Sequence, residues 1–101
     1  MDEEKFVKIL KALGDPKRLR MVQEVARAGE LSCGQIGGRF RLSQPTISHH
    51  LKILAEAGLL QVREAGQQHF ISVDLDLIRQ VTDFFPTGLT AAPKRSRAKT
   101  T

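Results

Sequence analysis

The run from Ser43 to Leu54, Ser-Gln-Pro-Thr-Ile-Ser-His-His-Leu-Lys-Ile-Leu, constrains this chain more than any other stretch. Ser43 is a helix-capping residue, and Ile47, Leu51 and Leu54 recur at helical spacing behind it. At about 100° per residue, Pro45, His49, Lys52 and Glu56 fall opposite that apolar stripe, with Thr46 and Ser48 on its flanks. One face is built for burial. The other carries short hydrogen-bonding groups and an imidazole near the helix N-terminus.

The rest of the chain reads as elements arranged around this helix. Residues 3–13 place Phe6, Ile9, Leu10 and Leu13 on one stripe, and Gly14 ends that first helix. Asp15-Pro16 spells an N-cap followed by proline at the first helical position, where its missing N–H costs nothing. Leu19, Val22, Val25 and Ala26 carry the second helix to Gly29. Ser32 caps a short third helix reaching about Phe40. Its Gly34, Gly37 and Gly38 each cost up to ~1 kcal/mol relative to alanine, so packing of Ile36 and Phe40 must hold it.

After the helix from Ser43 stops at Gly58, residues 60–64 and 69–73 alternate as two strands joined by the tip Ala65-Gly66-Gln67-Gln68. A last helix over about 75–85 has Leu75, Ile78, Val81 and Phe85 on one side, Leu77 and Phe84 on another, and Pro86 at its end. Residues 1–86 form one domain, too short for two cores, and residues 87–101 read as a disordered basic tail with nothing to bury.

Charge narrows the partners only through position. The chain carries +5, yet residues 1–86 hold twelve Lys/Arg against eleven Asp/Glu. The remaining excess is Lys94, Arg95, Arg97 and Lys99. No apolar stretch approaches the ~20 residues that span a bilayer. The acidic start, Asp2, Glu3 and Glu4, does not read as a signal peptide. A single cysteine, Cys33, makes no internal disulfide, and the expected compartment is a reducing cytoplasm.

A short helix, a tight link, a longer helix and then a hairpin predict a mainly α fold with a small β-hairpin (α+β), a winged helix-turn-helix. In such folds the second helix of the pair enters a DNA major groove by its N-terminal end. The outer helices keep more apolar surface than one core of this size uses. Phe6, Ile9, Leu10, Leu13, Leu75, Ile78, Val81 and Phe85 are therefore expected to form the interface of a homodimer.

The segments ALGDPKRLRMVQEV, ELSCGQI, LSQPTISHHLKILAEAGLLQVRE and GQQHFISV, in this order from about residue 6 to 85, together resemble the ArsR/SmtB family of bacterial dimeric repressors. The resemblance implies a homodimer on a double-stranded operator, usually an imperfect inverted repeat, released in many members by a metal ion or another small effector. Carried over residue by residue, it puts base reading on Gln44, Pro45, Ser48 and His49. Gln44 can pair two hydrogen bonds with adenine, while Ser48 and His49 are permissive donors or acceptors. Pro45 stands where the family often has a small polar residue, which leaves apolar contact, as with a thymine methyl. Arg39, Arg41, Thr46, Lys52, Arg63 and Gln67 are the candidates for the DNA backbone.

The family's sensor sites match poorly. Its thiol site begins as Cys-x-Cys in the third helix, and here Ser32 and Gly34 take those two positions with Cys33 between them. One thiolate cannot supply the three or four ligands of a soft metal. The family's other metal site, on the last helix, starts Asp-x-His, and here the stretch is Asp74-Leu75-Asp76 with no histidine following. No metal and no cofactor is expected, and the inducer, a small molecule or a protein, is left open. Cys33 reads as a small half-buried apolar residue, with a single-thiol redox response as the alternative.

A different class of function, a winged helix used as a protein-interaction module, would need no polar reading face. An enzyme finds no support, since no nucleophile–base pair or paired carboxylates occur at useful spacing. Gly34, Gly37 and Gly38 follow no predicted strand and so make no phosphate-cradling loop.

Overall fold

The computed structural model describes residues 1–85. The basic tail expected over 87–101, and Pro86 before it, lie outside the described residues. Five helices and three short strands follow one another as α1 (Glu3–Leu13), α2 (Pro16–Ala28), β1 (Leu31–Ser32), α3 (Cys33–Phe40), α4 (Gln44–Glu56), β2 (Leu60–Ala65), β3 (Gln68–Val73) and α5 (Leu75–Phe84).

Helix starts are fixed by side chains that satisfy orphan backbone N–H groups. Asp2 accepts from the Lys5 amide, Asp15 from those of Lys17 and Arg18, Ser43 from that of Thr46, and Asp74 from that of Leu77. The glycine-rich α3 has the strongest start. Ser32 accepts from the Gln35 amide while the Gln35 side chain accepts from the Ser32 amide, a reciprocal capping box. That box and the complete burial of Ile36 offset three glycines in eight residues.

The sheet runs in the order β1-β3-β2, antiparallel throughout. The hairpin is one residue pair longer than expected, because Ala65 pairs with Gln68. The turn is thus the two residues Gly66-Gln67, with Gly66 at φ 62° in the left-handed region that a two-residue hairpin turn needs. Strand β1 was not expected. It is two residues long and pairs Leu31 with Ile71 and Ser32 with Phe70, using backbone groups on the free edge of β3.

Ile9, Met21, Val25, Ile36, Ile47, Leu54 and Leu59 are fully buried and join α1, α2, α3 and α4 to the sheet side in one core. Three residues of the expected dimer stripe, Phe6, Ile9 and Val81, are 9%, 0% and 7% exposed and pack in the chain's own core. The reason is that α5 folds back on α1, with the Phe6 ring 4.7 Å from that of Phe84 and 5.2 Å from that of Phe85. On α5 the inward positions are Leu77 and Val81, one helical turn apart, and Leu75 is left 59% exposed. Val7, Leu10, Leu75 and Phe84 are the uncovered apolar side chains of these two helices.

Candidate nucleic-acid interface

Helix α4 presents two chemically distinct faces. Ile47 and Leu54 are buried, and Leu51 packs half-buried beside them. Gln44, Pro45, Thr46, Ser48, His49 and Lys52 are all exposed. The structure therefore brings every α4 residue expected to meet DNA, by base or by backbone, onto the solvent side of one helix. Ser43 Oγ lies 2.8 Å from the Thr46 hydroxyl as well as accepting the Thr46 amide, so the first turn is tied down where it would enter a groove. Gln44 stands against α3, its amide nitrogen 3.6 Å from where a Cβ on Gly37 would sit.

Between α3 and α4 the chain turns through Arg41, the only non-glycine residue with positive φ among the described residues. Its φ of 54° and ψ of 39° are left-handed helical, a conformation that costs an L-residue roughly 1–2 kcal/mol. Glycine is the usual occupant of such a helix end. The exposed arginine is held there while its amide donates to the Gly37 carbonyl at 3.1 Å.

The two remaining arginines among the expected backbone contacts are already paired. Arg39 donates to Glu24 at 2.8 Å, and the other oxygen of that carboxylate takes Arg27 at 3.0 Å. Arg63 donates from Nε and Nη2 to the two oxygens of Glu30 at 3.1 and 2.9 Å, and its guanidinium lies 4.6 Å from the centre of the Phe70 ring. Arg63 pairs with Phe70 across β2 and β3, and Phe70 with Ser32 across β3 and β1. This side chain therefore links β2 and β3 to Glu30, the residue just before β1. The contact holds the Glu30 carboxyl below the usual carboxylate range and raises the Arg63 guanidinium. Gln67 is exposed at the hairpin turn.

His50 belongs to a different junction. Arg18 Nε donates to the Ala12 carbonyl at 2.6 Å, and its Nη1 lies 3.3 Å from His50 Nδ1. A guanidinium only donates, so Nδ1 accepts and the imidazole is neutral with its proton on Nε2. Burial pushes the His50 pKa down, with Asp15 pulling it up and Arg18 reinforcing the fall. The amide of Arg18 is chiefly what holds the Asp15 carboxyl low. One arginine thus joins the end of α1, the start of α2 and the middle of α4.

Cys33, the single cysteine of the chain, is half-buried against the core. It lines a shallow cleft of about 330 Å³ with Ser32, Gly34 and the hairpin residues Gln67, Gln68 and His69. Among the described residues no three His, Cys, Asp or Glu side chains cluster as metal ligands, and no helix is long and apolar enough to cross a membrane.

Two of these contacts had a signal in the sequence and two had none. The Ser32-to-Gln35 spacing spells the capping box, and Asp15-Pro16 spells the start of α2. Glu30 with Arg63, and Arg18 with His50, are partners 33 and 32 residues apart that no local pattern links.

A helix-turn-helix domain family matches residues 13–63. An uncharacterized HTH-type transcriptional regulator of Methanocaldococcus jannaschii is 37% identical over 78 residues, covering 77% of this chain and 88% of that protein. The arsenical resistance operon repressor of Staphylococcus xylosus is 37% identical over 83 residues, covering 79% of each. In three dimensions, the homodimeric winged helix-turn-helix domain of a possible ArsR-family regulator of Mycobacterium bovis superposes with a TM-score of 0.70 at 20% identity, covering 93% of this chain and 87% of that one. Fold, sequence motifs and relatives agree, and the chain belongs to the ArsR/SmtB family of winged helix-turn-helix, DNA-binding transcriptional repressors.

Proposed function

We propose that the protein represses transcription as a homodimer that sits on an inverted-repeat operator, with one α4 helix of each protomer in successive major grooves. The observation that carries this reading is the single exposed row Gln44, Ser48, His49 and Lys52 on a helix whose opposite side is buried. Gln44, Pro45, Ser48 and His49 read bases, and Arg41, Thr46, Lys52 and Gln67 meet phosphates. Two-fold symmetry sets the half-sites one helical turn apart, roughly 34–36 Å. A protein bound to the genome in this way works in the cytoplasm. The dimer seam uses the apolar side chains that the folded chain leaves uncovered on α1 and α5, joined by half-buried Leu13, Ile78 and Phe85.

The same reading assigns no metal sensor to this chain. Ser32 and Gly34 stand at the thiol-ligand positions, Asp76 at the imidazole position, and His50 is held by Arg18. An arsenical repressor among the relatives therefore indicates ancestry and architecture, and the signal here is organic, protein-borne or absent. Cys33 beside His69 keeps a single-thiol redox response as the second reading, because both border one cleft under the hairpin turn.

Fluorescence anisotropy on duplex DNA from upstream of the gene tests the main reading. Gln44→Ala and His49→Ala are expected to cost about 1–3 kcal/mol on the operator and to relax preference at particular base pairs. Equal losses on operator and random DNA would remove base reading from α4. Release by stoichiometric zinc, cadmium or arsenite that disappears in Cys33→Ser would overturn the assignment of no metal sensor.

A further inference from the structure

Between α2 and the last turn of α3 lies an open cleft of about 360 Å³ lined by Lys17, Arg20, Glu24, Arg39 and Phe40. Three cations surround one carboxylate, with an aromatic side chain as part of the wall. Lys17 and Arg20 make no ion pair among the described residues, whereas Arg39 and Arg27 share Glu24. The carboxylate is thus engaged on both oxygens, and two positive charges of the cleft stay uncompensated at contact distance.

The cleft is tied to α4 by two connections. Lys17 lies in the first turn of α2, its amide donating to the Asp15 cap, and the next residue, Arg18, reaches His50 on α4. Arg39 and Phe40 immediately precede the Arg41 turn, which leads directly into α4. An anion seated here would lie against α2 and the end of α3, the helix that leads through Arg41 into α4. A duplex read by α4 supplies one, since its backbone carries a charge every ~1.7 Å along the axis.

We propose that this cleft is a second DNA-backbone contact, in which a phosphate flanking the reading helix is held by Lys17, Arg20 and Arg39 after displacing Glu24 from Arg39. The inference rests on the DNA-binding reading above and adds residues to it. Glu24 is the resident stand-in for the phosphate. It keeps Arg39 placed when DNA is absent, and it lowers the affinity of the cleft for any duplex by the amount the phosphate must displace. Fork-shaped Arg39 can transfer from a carboxylate to a phosphate without changing its geometry.

The test is the salt dependence of anisotropy on an operator duplex and on random DNA of equal length, using the full chain. Lys17→Ala and Arg20→Ala are each expected to weaken both duplexes by the same factor and to flatten the slope of log affinity against log salt by about 0.9 per lost phosphate contact. Glu24→Gln is expected to tighten both duplexes and steepen the slope. That gain should vanish when Arg39→Ala is also present.

Unchanged slopes in Lys17→Ala and Arg20→Ala, with wild-type binding intact, would overturn the cleft and leave base reading by α4 standing. Failure of the wild type to bind any duplex would overturn the DNA reading itself. Inorganic phosphate distinguishes the other source of the same chemistry. A saturable shift of arginine side-chain NMR signals with phosphate alone, lost in Arg20→Ala, would make this a free-anion site and overturn the DNA assignment. All these residues except Phe40 and Glu24 are exposed, so melting curves matching the wild type are expected for each variant and serve as the check on folding.

Discussion

Arg63 grips both carboxylate oxygens of Glu30 while lying over the ring of Phe70, and so one side chain clamps β2 and β3 to the residue just before β1. This relationship assigns Arg63 a part different from that of Arg39, which meets its glutamate through a single nitrogen. A two-pronged grip over an aromatic face fixes direction as well as charge. The hairpin is thereby aimed from its base.

Glu30→Gln is accordingly expected to weaken DNA binding several-fold, even though it removes a negative charge from a DNA-binding protein. Arg63→Lys should do the same, because an ammonium keeps the charge but not the fork. If Arg63 instead acted as a simple phosphate contact, Arg63→Lys would be nearly silent and Glu30→Gln would tighten binding. Affinities on operator and random DNA at two salt concentrations decide between them.

Gly38→Ala is expected to stabilise the protein. A Cβ there meets nothing within 4 Å, and the glycine lies inside α3 with ordinary helical backbone. Alanine restores up to ~1 kcal/mol of helix propensity, which corresponds to roughly 4–8 °C in a domain of this size. Thermal melts at fixed protein concentration measure it, and a lower midpoint would mean that α3 needs that glycine for packing.

The boundaries of α1 to α4 were legible because capping is local: Asp2, Asp15, Ser32 and Ser43 each act on amides two or three residues ahead. The solvent face of α4 was legible for the same reason, since helical spacing alone separates Ile47 and Leu54 from Ser48 and Lys52. What the sequence did not disclose depends on how elements meet. Strand β1 is too short to show alternation and exists because β3 has a free edge. Helix α5 carries apolar residues on two sides, and only its packing against the rest of the fold selects Leu77 and Val81 for the core and leaves Leu75 outside. The Glu24 and Glu30 partners of the arginines are tertiary in the same sense.

Arg41→Gly separates folding from DNA binding. Glycine relieves a left-handed conformation worth roughly 1–2 kcal/mol in an L-residue, offset in part by ~0.4–1 kcal/mol of extra chain entropy in the unfolded state. Stability should therefore hold or rise by up to about 1.6 kcal/mol. DNA affinity should fall on every sequence, with a flatter salt dependence, because a charge at the turn between α3 and α4 is gone. Denaturant melts and anisotropy on the same samples give both numbers, and joint losses in stability and affinity would show that the Arg41 side chain holds the turn itself.

Leu75→Glu tests the dimer without attacking the monomer. Leu75 is the first residue of α5 and 59% exposed, so a glutamate there meets the favourable end of the helix dipole in a lone chain. In a seam between two copies the same carboxylate would be desolvated and face its symmetry mate. Sedimentation at micromolar concentration should show a dimer for the wild type and a folded monomer for Leu75→Glu. A wild-type monomer, or a variant that stays fully dimeric, would move the seam away from this end of α5.

The junction of Arg18 and His50 predicts a pH dependence of stability with a definite sign. Burial lowers the His50 pKa in the folded protein below its ordinary value of 6.5, so between those two values the unfolded chain binds more protons than the folded one. The contribution is fully present above pH 6.5 and is lost as pH falls through the folded value. Protonation there also removes the acceptor that Nδ1 offers Arg18, loosening α4 against the start of α2. Asp15 and Glu30, whose folded values are depressed, act in the same direction but only below their ordinary values of 3.8 and 4.5. The window from about pH 6.5 down to 5 therefore isolates the histidine. Urea midpoints measured at fixed protein concentration should decline across it in the wild type and lie flat in His50→Gln, whose side-chain carbonyl can still accept from Arg18. An equal decline in both proteins would assign the effect to another group and overturn the part given to His50.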